Sequence, residues 1–119
     1  MSQIPEQLDV GLVDRLRQIV AGHVAAEPEL RMLADQAGGW ARTTRARLLA
    51  AEGRLTALNA DPASPLAEIA AEVRRVDGLS RELGEIRELS EGLEQRTREL
   101  RTAWLKHHAE SRSPFESNP

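Results

Sequence analysis

The segment Ala60-Asp61-Pro62-Ala63-Ser64-Pro65 separates two long stretches in which apolar residues recur every three or four positions. Its two prolines and its two potential N-cap residues, Asp61 and Ser64, are typical of a turn between helices. Connections of this length join neighbouring helices that run in opposite directions. The segment therefore predicts a helical hairpin folded at about residue 62, with Ser64 as the N-cap of the second arm.

Each stretch that flanks the turn carries an apolar seam with a mean spacing close to 3.5 residues. Before the turn, the seam consists of Leu30, Leu33, Ala37, Trp40, Thr44, Leu48, Ala51, Leu55 and Leu58. After the turn, it consists of Leu66, Ile69, Val73, Val76, Leu79, Leu83, Ile86, Leu89, Leu93, Thr97, Leu100 and Trp104. Such a spacing keeps one helix face against a partner and is typical of coiled coils. We predict helix 2 over about 28–59 and helix 3 over about 65–108, paired as an antiparallel coiled coil.

A third apolar stripe precedes the hairpin. It consists of Leu8, Leu12, Leu16, Ile19, Val20, His23 and Val24. The stripe predicts an amphipathic helix 1 over about 6–25, which ends at Glu27-Pro28 because the residue before a proline avoids the helical region. Helix 1 is expected to pack on the base of the hairpin as in a three-helix bundle, with Trp104 near Ile19.

These elements predict an all-α protein with one helical domain over residues 1–110. The remaining residues, 111–119, are polar and contain two prolines. Segments of this composition bury too little apolar surface to order themselves. We therefore expect a disordered C-terminal tail.

The charged residues favour the antiparallel arrangement independently of the seam. Folding the chain at residue 62 sets each position opposite roughly 123 minus its own number, and the signs then match in blocks. The expected pairs are Glu27 and Glu29 with Arg96 and Arg98; Arg42, Arg45 and Arg47 with Glu82, Asp77 and Glu85; and Glu52 with Arg74 and Arg75. Exposed pairs of this kind set register and orientation more than stability.

Three glycines meet at one level of the predicted hairpin, because Gly38-Gly39 falls opposite Gly84. Glycine costs a helix about 1 kcal/mol relative to alanine. Their meeting predicts either a close approach of the two backbones or a kink that makes room for Trp40. A break of helix 2 at Gly38-Gly39 is the alternative.

In size, helical content and a Trp-Gly element, Gly38-Gly39-Trp40, the chain resembles the small helical-hairpin proteins exported by type VII secretion. Those proteins usually dimerise. Their Trp-x-Gly lies in the turn between two helices, whereas here Gly-Gly-Trp falls inside helix 2. Their C-terminal Tyr-x-x-x-acidic signal is not matched by Trp104-Leu105-Lys106-His107-His108. The resemblance implies a dimer and offers export as one alternative.

The tip of the hairpin, from about 46 to 78, is expected to protrude beyond helix 1. Two helices cannot cover both flanks of a seam, and an exposed apolar strip usually marks an interaction surface. The predicted interaction surface consists of Leu48, Leu49, Leu55, Leu58, Ile69, Val73 and Val76. We expect this surface to pair with a second copy in a four-helix arrangement, or with another helical protein.

No combination of residues points to catalysis or to a bound cofactor. Cysteine is absent, and His23, His107 and His108 lack the Glu-x-x-His and His-Glu-x-x-His spacings of metal sites. A metal site between two copies of His107-His108 is the minor alternative. The glutamates at every third position from 82 to 94 move around the helix and are interpreted as a solvated face. We expect a non-enzymatic protein without catalytic, cofactor or metal residues and without a small-molecule substrate.

The overall charge argues against a nucleic-acid partner. Sixteen basic and 19 acidic residues are mixed along the chain, for a net charge of −3, so no general positive field attracts a phosphate backbone. The local exception is a basic cluster of Arg42, Arg45, Arg47 and Arg54, whose members are candidate anion contacts. Pairing of these arginines with helix 3 is the favoured interpretation.

The N-terminal residues 1–6 lack a basic n-region and an apolar h-region, and no apolar run approaches the roughly 18–20 residues of a membrane span. A cytoplasmic location is therefore expected. Lys106 is the only lysine among the 16 basic residues, a bias usual in GC-rich bacterial genomes. The leading hypothesis is a bacterial scaffold, adaptor or regulatory accessory protein. The alternatives are a type VII-like exported protein and a ligand- or nucleic-acid-binding regulator that uses the basic cluster.

Overall fold

The computed structural model describes the backbone of residues 10–117 and the side chains through residue 109. It contains three helices, α1 (Val10–Val20), α2 (Glu27–Ala60) and α3 (Leu66–Ser117). Helices α2 and α3 pack against each other as an antiparallel hairpin, and α1 packs mainly against α3. The predicted all-α hairpin with a shorter N-terminal helix at its base is confirmed.

The molecule is elongated, with principal extents of 85 × 31 × 19 Å. Its radius of gyration is 21.7 Å, whereas a compact domain of 119 residues has roughly 13.5 Å. The 52 residues of α3 alone extend about 78 Å at 1.5 Å per residue. Helix α3 is therefore the long axis of the protein, and the other two helices pack along it.

The predicted seam forms the interface of the hairpin. The buried residues of α2 are Leu30, Leu33, Ala37, Thr44 and Ala51, and those of α3 are Leu83, Ile86, Leu89 and Leu93. Every one of them is a predicted seam position. The seam fails at three positions of α3, where Leu66 is 82% exposed, Val73 is 41% exposed and Trp104 is 58% exposed. Leu66 lies in the first turn of its helix, and Trp104 lies beyond the level at which α2 begins.

The base of the hairpin holds the main core. Its buried residues are Val13, Leu16 and Ile19 from α1, Leu30, Leu33 and Ala37 from α2, and Leu89 and Leu93 from α3. Full burial of a side chain such as Leu16 or Ile19 contributes about 1.5–3 kcal/mol. The end of α1 contacts α3 through Val20 at Gly92, and Trp104 lies about 18 Å further along α3 at 1.5 Å per residue, so the expected proximity of Trp104 and Ile19 is wrong.

Helix α1 ends earlier than the predicted residue 25, because Gly22 terminates it. Gly22 has a φ of 111°, its N–H donates to the carbonyl of Ile19 at 3.0 Å, and the N–H of His23 donates to the carbonyl of Gln18 at 3.0 Å. These two bonds form a Schellman motif, which ends a helix at a left-handed glycine. His23 and Val24 therefore lie outside the helix and are exposed. The predicted start of helix 1 near residue 6 lies outside the described residues.

The turn at the tip is held by Asp61 rather than by Ser64. The Oδ1 atom of Asp61 accepts a hydrogen bond from the N–H of Ala63 at 2.9 Å, and its carbonyl accepts one from the N–H of Ser64 at 3.0 Å. The carbonyl of Pro65 accepts the first helical bond of α3, from the N–H of Ile69 at 3.2 Å. Pro65 is therefore the N-cap, and Ser64 lies one residue too early for the predicted role.

Helix α2 is continuous through Gly38-Gly39, so the alternative of a helix break is wrong. The expected close approach to Gly84 is also absent, since nothing lies within 4 Å of the position that a Cβ atom on Gly84 would take. The nearest atoms to such positions on Gly38 and Gly39 belong to the guanidinium of Arg42, at 3.6 and 3.7 Å. Both distances are ordinary van der Waals contacts, so neither glycine is required by a close approach of another group.

Helix α3 continues past its predicted end near residue 108 to Ser117. Residues 111–117, for which the sequence predicted disorder, therefore have a helical backbone. That prediction depended on Pro114 as a helix breaker. A proline inside a helix removes one backbone hydrogen bond, at a cost of about 3 kcal/mol, but does not oblige the helix to end.

Candidate interaction surfaces

A polar layer interrupts the apolar seam of the hairpin. Thr44 is completely buried, and its Oγ1 atom donates a hydrogen bond to Oε2 of Glu82 at 3.1 Å. The indole Nε1 of Trp40 donates to the same oxygen atom at 3.1 Å. Both donors come from α2 and the acceptor from α3, so a shift of one helix along the other would break both bonds. Polar residues at seam positions fix the register of helix pairs in this way.

A clamp joins α1 to the first turn of α2. The Nε and Nη2 atoms of Arg15 donate to the two carboxylate oxygens of Glu29, at 2.5 and 2.7 Å. Nη2 also donates to the carbonyl of Val24 at 3.3 Å. The hydrogen bond from Arg15 lowers the pKa of the Glu29 carboxyl below its ordinary value. The clamp closes the connection between the two helices and explains why α1 keeps its place at the base.

The predicted interaction surface lies at the tip, on the part of the hairpin beyond the base core. Leu49 is 59% exposed and Val73 is 41% exposed. The other five predicted residues are half-buried between α2 and α3: Leu48, Leu55, Leu58, Ile69 and Val76. The structure thus divides the predicted surface into five seam residues, which hold the hairpin together, and two that face solvent.

Small residues border Leu49 on the outer face of α2. Ala46, Ala50, Gly53 and Ala57 recur at steps of three and four, and all four are exposed. Nothing lies within 4 Å of the position that a Cβ atom on Gly53 would take. A helix face of this kind lets another helix approach closely. The sequence shows the same spacing, but it was hidden by the stronger leucine seam next to it.

The basic cluster does not converge on one place. Arg54 pairs with Glu72 of α3 at 3.3 Å, while Arg42 lies over Gly38 and Gly39 of its own helix. Of the described ion pairs, none involves Arg42, Arg45 or Arg47, so their predicted partners on α3 are wrong. The reason is competition, because Glu82 accepts from Trp40 and Thr44, and Glu85 pairs with Arg17 of α1.

The other predicted charge pairs are replaced by different ones. Glu27 pairs with Arg101 at 3.1 Å, one helical turn beyond the expected arginines, and Glu29 pairs with Arg15. Arg96 instead donates to the carbonyl of Gly22 at 3.0 Å, which fastens the end of α1 to α3. The bonds of Glu29 and Arg96 were missed because the comparison of α2 with α3 left α1 out, whereas Glu27 was assigned to arginines one helical turn away from its actual partner.

The base carries an exposed apolar surface that the sequence analysis did not identify. A groove of about 510 Å³ there is lined by the apolar side chains of Ala25, Leu30, Leu100, Trp104 and Leu105. Trp104 is 58% exposed and Leu105 is 60% exposed. The Trp104 ring lies 4.1 Å, between centroids, from the His108 ring. The seam pattern assigned Trp104 to the core, which hid its exposure.

The described part of the chain offers no site for a metal ion and no candidate for a membrane span. Nowhere in it do three or more potential metal-ligating side chains gather, and His23, His107 and His108 are all exposed. None of its helices is long and apolar enough to cross a bilayer. No protein-family model, curated protein or solved structure matches this chain. The function of the protein is therefore inferred from the exposed surfaces of its tip and its base.

Proposed function

We propose that this protein is a non-enzymatic helical interaction module of the cytoplasm, acting as a scaffold, adaptor or regulatory accessory protein. In this proposal the hairpin tip pairs with the tip of a second copy in a four-helix arrangement. The observation that carries the proposal is the exposure of Leu49 and Val73 on a section of the hairpin beyond the base core. Exposed apolar residues beside a two-helix seam are typical of surfaces that another helix covers.

The surface area of the chain supports a partner. The accessible surface is 8587 Å², whereas a compact monomer of 13.2 kDa has roughly 6400 Å². A stable interface buries about 800 Å² on each partner. The elongated hairpin therefore exposes enough surface to form an interface of this size with a second copy while keeping its own fold.

The exposed small residues favour helix packing as the mode of pairing. Ala46, Ala50, Gly53 and Ala57 leave a shallow face beside Leu49. A second hairpin could place its own Leu49 against this face, with each copy using the same residues. Such isologous contacts close into a dimer and do not polymerise.

The test is the solution mass of the protein across a concentration series, with helicity measured alongside. The wild-type protein is expected to have twice the monomer mass of 13.2 kDa. Leu49→Glu should shift the equilibrium to the monomer with unchanged helicity, because Leu49 is exposed within one chain. Met32→Glu is the matched control, since Met32 is 50% exposed on the same helix but lies at the base.

Two results would contradict the proposal. One is a wild-type monomer up to about 1 mM, a concentration at which even an association of about −4 kcal/mol would be seen. The other is a wild-type dimer whose mass is equally unaffected by Leu49→Glu and Met32→Glu. In the second case the proteins associate through a different surface.

A second candidate, a regulator that binds an anionic ligand or a nucleic acid, is favoured by the absence of described ion pairs at Arg42, Arg45 and Arg47. The test is binding of single-stranded RNA or of polyphosphate at increasing salt, with Arg42→Ala and Arg45→Ala combined. Salt-sensitive binding that the double variant loses would favour this candidate. The type VII alternative receives no such support, because Trp40 lies well inside α2, hydrogen-bonded to Glu82.

A further inference from the structure

Two adjoining grooves lie between α2 and α3 at the base, and together we call them the channel. The second groove reaches Gly38 on α2 and Ser90 on α3, and both grooves share Glu27, Leu30 and Arg101, of which Glu27 and Arg101 form an ion pair between the two helices. From Ser90 to Leu105 the channel follows α3 for about 22 Å at 1.5 Å per residue. That length matches an α-helix of about 15 residues.

Helix α1 occupies the opposite flank of the same seam. It touches α3 through Val20 at Gly92 and through the carbonyl of Gly22 at Arg96. The channel is instead lined on α3 by Glu94, Thr97 and Arg101. A helix laid in the channel would therefore cover the flank that α1 leaves open and complete a four-helix arrangement at the base. The shape of the channel suits a helix because two helices form its walls.

The charges around the channel are mostly basic. Glu27 and Arg101 pair with each other at 3.1 Å. Of the remaining charged residues in the lining, Arg31 and Arg98 are basic and Glu94 is acidic. An occupant with carboxylates beside its apolar face would complement this rim, and such complementarity gives specificity and faster association.

A second copy of this chain fits the channel poorly. An isologous contact, base against base, would set the basic rim against itself. A contact between the base of one copy and the acidic residues of α3 in another would be heterologous and would build a ring or an open filament rather than a dimer. The charges thus favour a different molecule.

We infer that the channel between Gly38 and Leu105 binds an amphipathic helix of another protein, with large apolar anchors and acidic flanks. The anchors would contact Leu30, Leu100 and Trp104, and the flanking carboxylates would face Arg31 and Arg98. This inference concerns a surface separate from the tip. It goes beyond the proposed self-association and does not depend on it.

The probe is a fluorescein-labelled synthetic peptide of 18 residues, with leucine at helical spacings of three and four and glutamate on both flanks. A twin peptide carries lysine in place of every glutamate. Fluorescence anisotropy should show saturable binding of the acidic peptide, at least tenfold tighter than that of the twin. Binding should weaken as salt rises, because the pairs at the rim are exposed to solvent.

Two variants place the peptide in the channel. Leu105→Glu should weaken binding at least tenfold, and so should Arg31→Glu combined with Arg98→Glu. The controls are Leu66→Glu, an apolar position 82% exposed at the other end of α3, and Arg74→Glu, an exposed arginine of the tip. Both controls should bind as the wild type does. All five positions are exposed, and circular dichroism tests whether each variant folds.

Three outcomes would overturn the inference. They are equal affinity for the two peptides, unchanged binding by Leu105→Glu, and binding to vesicles of phosphatidylserine with none to the acidic peptide. The last result would assign the basic rim to a lipid surface. A loss of self-association in Leu49→Glu with intact peptide binding would leave this inference standing, so the tip and the base are tested separately.

Discussion

The Cγ2 atom of Val20 lies 2.8 Å from the position that a Cβ atom on Gly92 would occupy, and its Cγ1 atom lies 3.1 Å from that position. A valine side chain has one strongly preferred rotamer and cannot turn both methyl groups away. Gly92 is therefore the place where α3 accepts the end of α1. The close contact suggests a direct test of how α1 is held.

Gly92→Ala is expected to destabilise the protein by about 1–3 kcal/mol, because the added methyl group would force α1 away from α3. The control is Gly78→Ala, which meets nothing within 4 Å and should stabilise α3 by up to about 1 kcal/mol. Urea unfolding followed by circular dichroism measures both. Equal stability of the two variants would mean that α1 moves aside without cost.

Gly22→Ala is expected to destabilise the end of α1 by about 1–2 kcal/mol, because an L-residue is strained at the φ of 111° found there. Gly84→Ala, at an open position inside α3, is the matched control and should raise the melting temperature. Hydrogen exchange should report faster exchange of the α1 amides in Gly22→Ala alone. A melting temperature as high as that of Gly84→Ala would contradict the capping role.

The clamp between Arg15 and Glu29 predicts a loss of stability in acid. The folded-state pKa of Glu29 is lowered by the hydrogen bond from Arg15, so the unfolded chain binds the proton more tightly. The contribution is therefore present above the ordinary glutamate pKa of about 4.3 and is lost as the pH falls through the lower folded value. The urea midpoint should fall less between pH 7 and pH 3 in Glu29→Gln than in the wild type. Glu91→Gln, an exposed position, should follow the wild-type curve.

The polar layer predicts an energetic coupling across the hairpin. A double-mutant cycle of Thr44→Val and Glu82→Ala should give a coupling of about 1 kcal/mol, the usual range for a hydrogen bond with one buried partner. A cycle of Arg54→Ala and Glu72→Gln, whose ion pair is exposed on the arginine side, should give less. Denaturant midpoints measure both cycles. A coupling near zero for the buried pair would mean that Thr44 and Glu82 do not set the register.

The hairpin was predictable because its two sequence signals, a seam repeated along both helices and a turn within six residues, can each be read from neighbouring positions. The seam spacing near 3.5 residues identified every buried position of α2 and α3, from Leu30 to Leu93. The turn at 60–65 has strong local signals and fixed the antiparallel order. The end of α1 was predicted too late, because the apolar stripe continues through Val24 although the helix ends at Gly22. The spacing of apolar residues does not show where the backbone leaves the helical conformation.

The surfaces were less predictable than the fold, because they depend on which neighbours are present. Trp104 continues the seam pattern, yet α2 begins too far from it to cover it. Two of the predicted partners of the basic cluster are occupied by other donors, since Glu82 accepts from Trp40 and Thr44 and Glu85 pairs with Arg17 of α1. The exposure of a side chain and its charged partners depend on all three helices. The pairing of α2 with α3 therefore determines only some of them.

Because α3 is continuous, it acts as a rigid spacer that fixes the distance between the tip and the base. About 45 Å separate the level of Trp104 from the middle of the tip, at 1.5 Å per residue. In a dimer joined at the tips with the two bases pointing apart, the two Trp104 levels would thus lie about 90 Å apart. A flexible tether carrying two acidic helices would need at least about 25–27 fully extended residues to reach both. Shorter tethers would bridge separate dimers, so tether length would decide between avid binding to one dimer and a network of many.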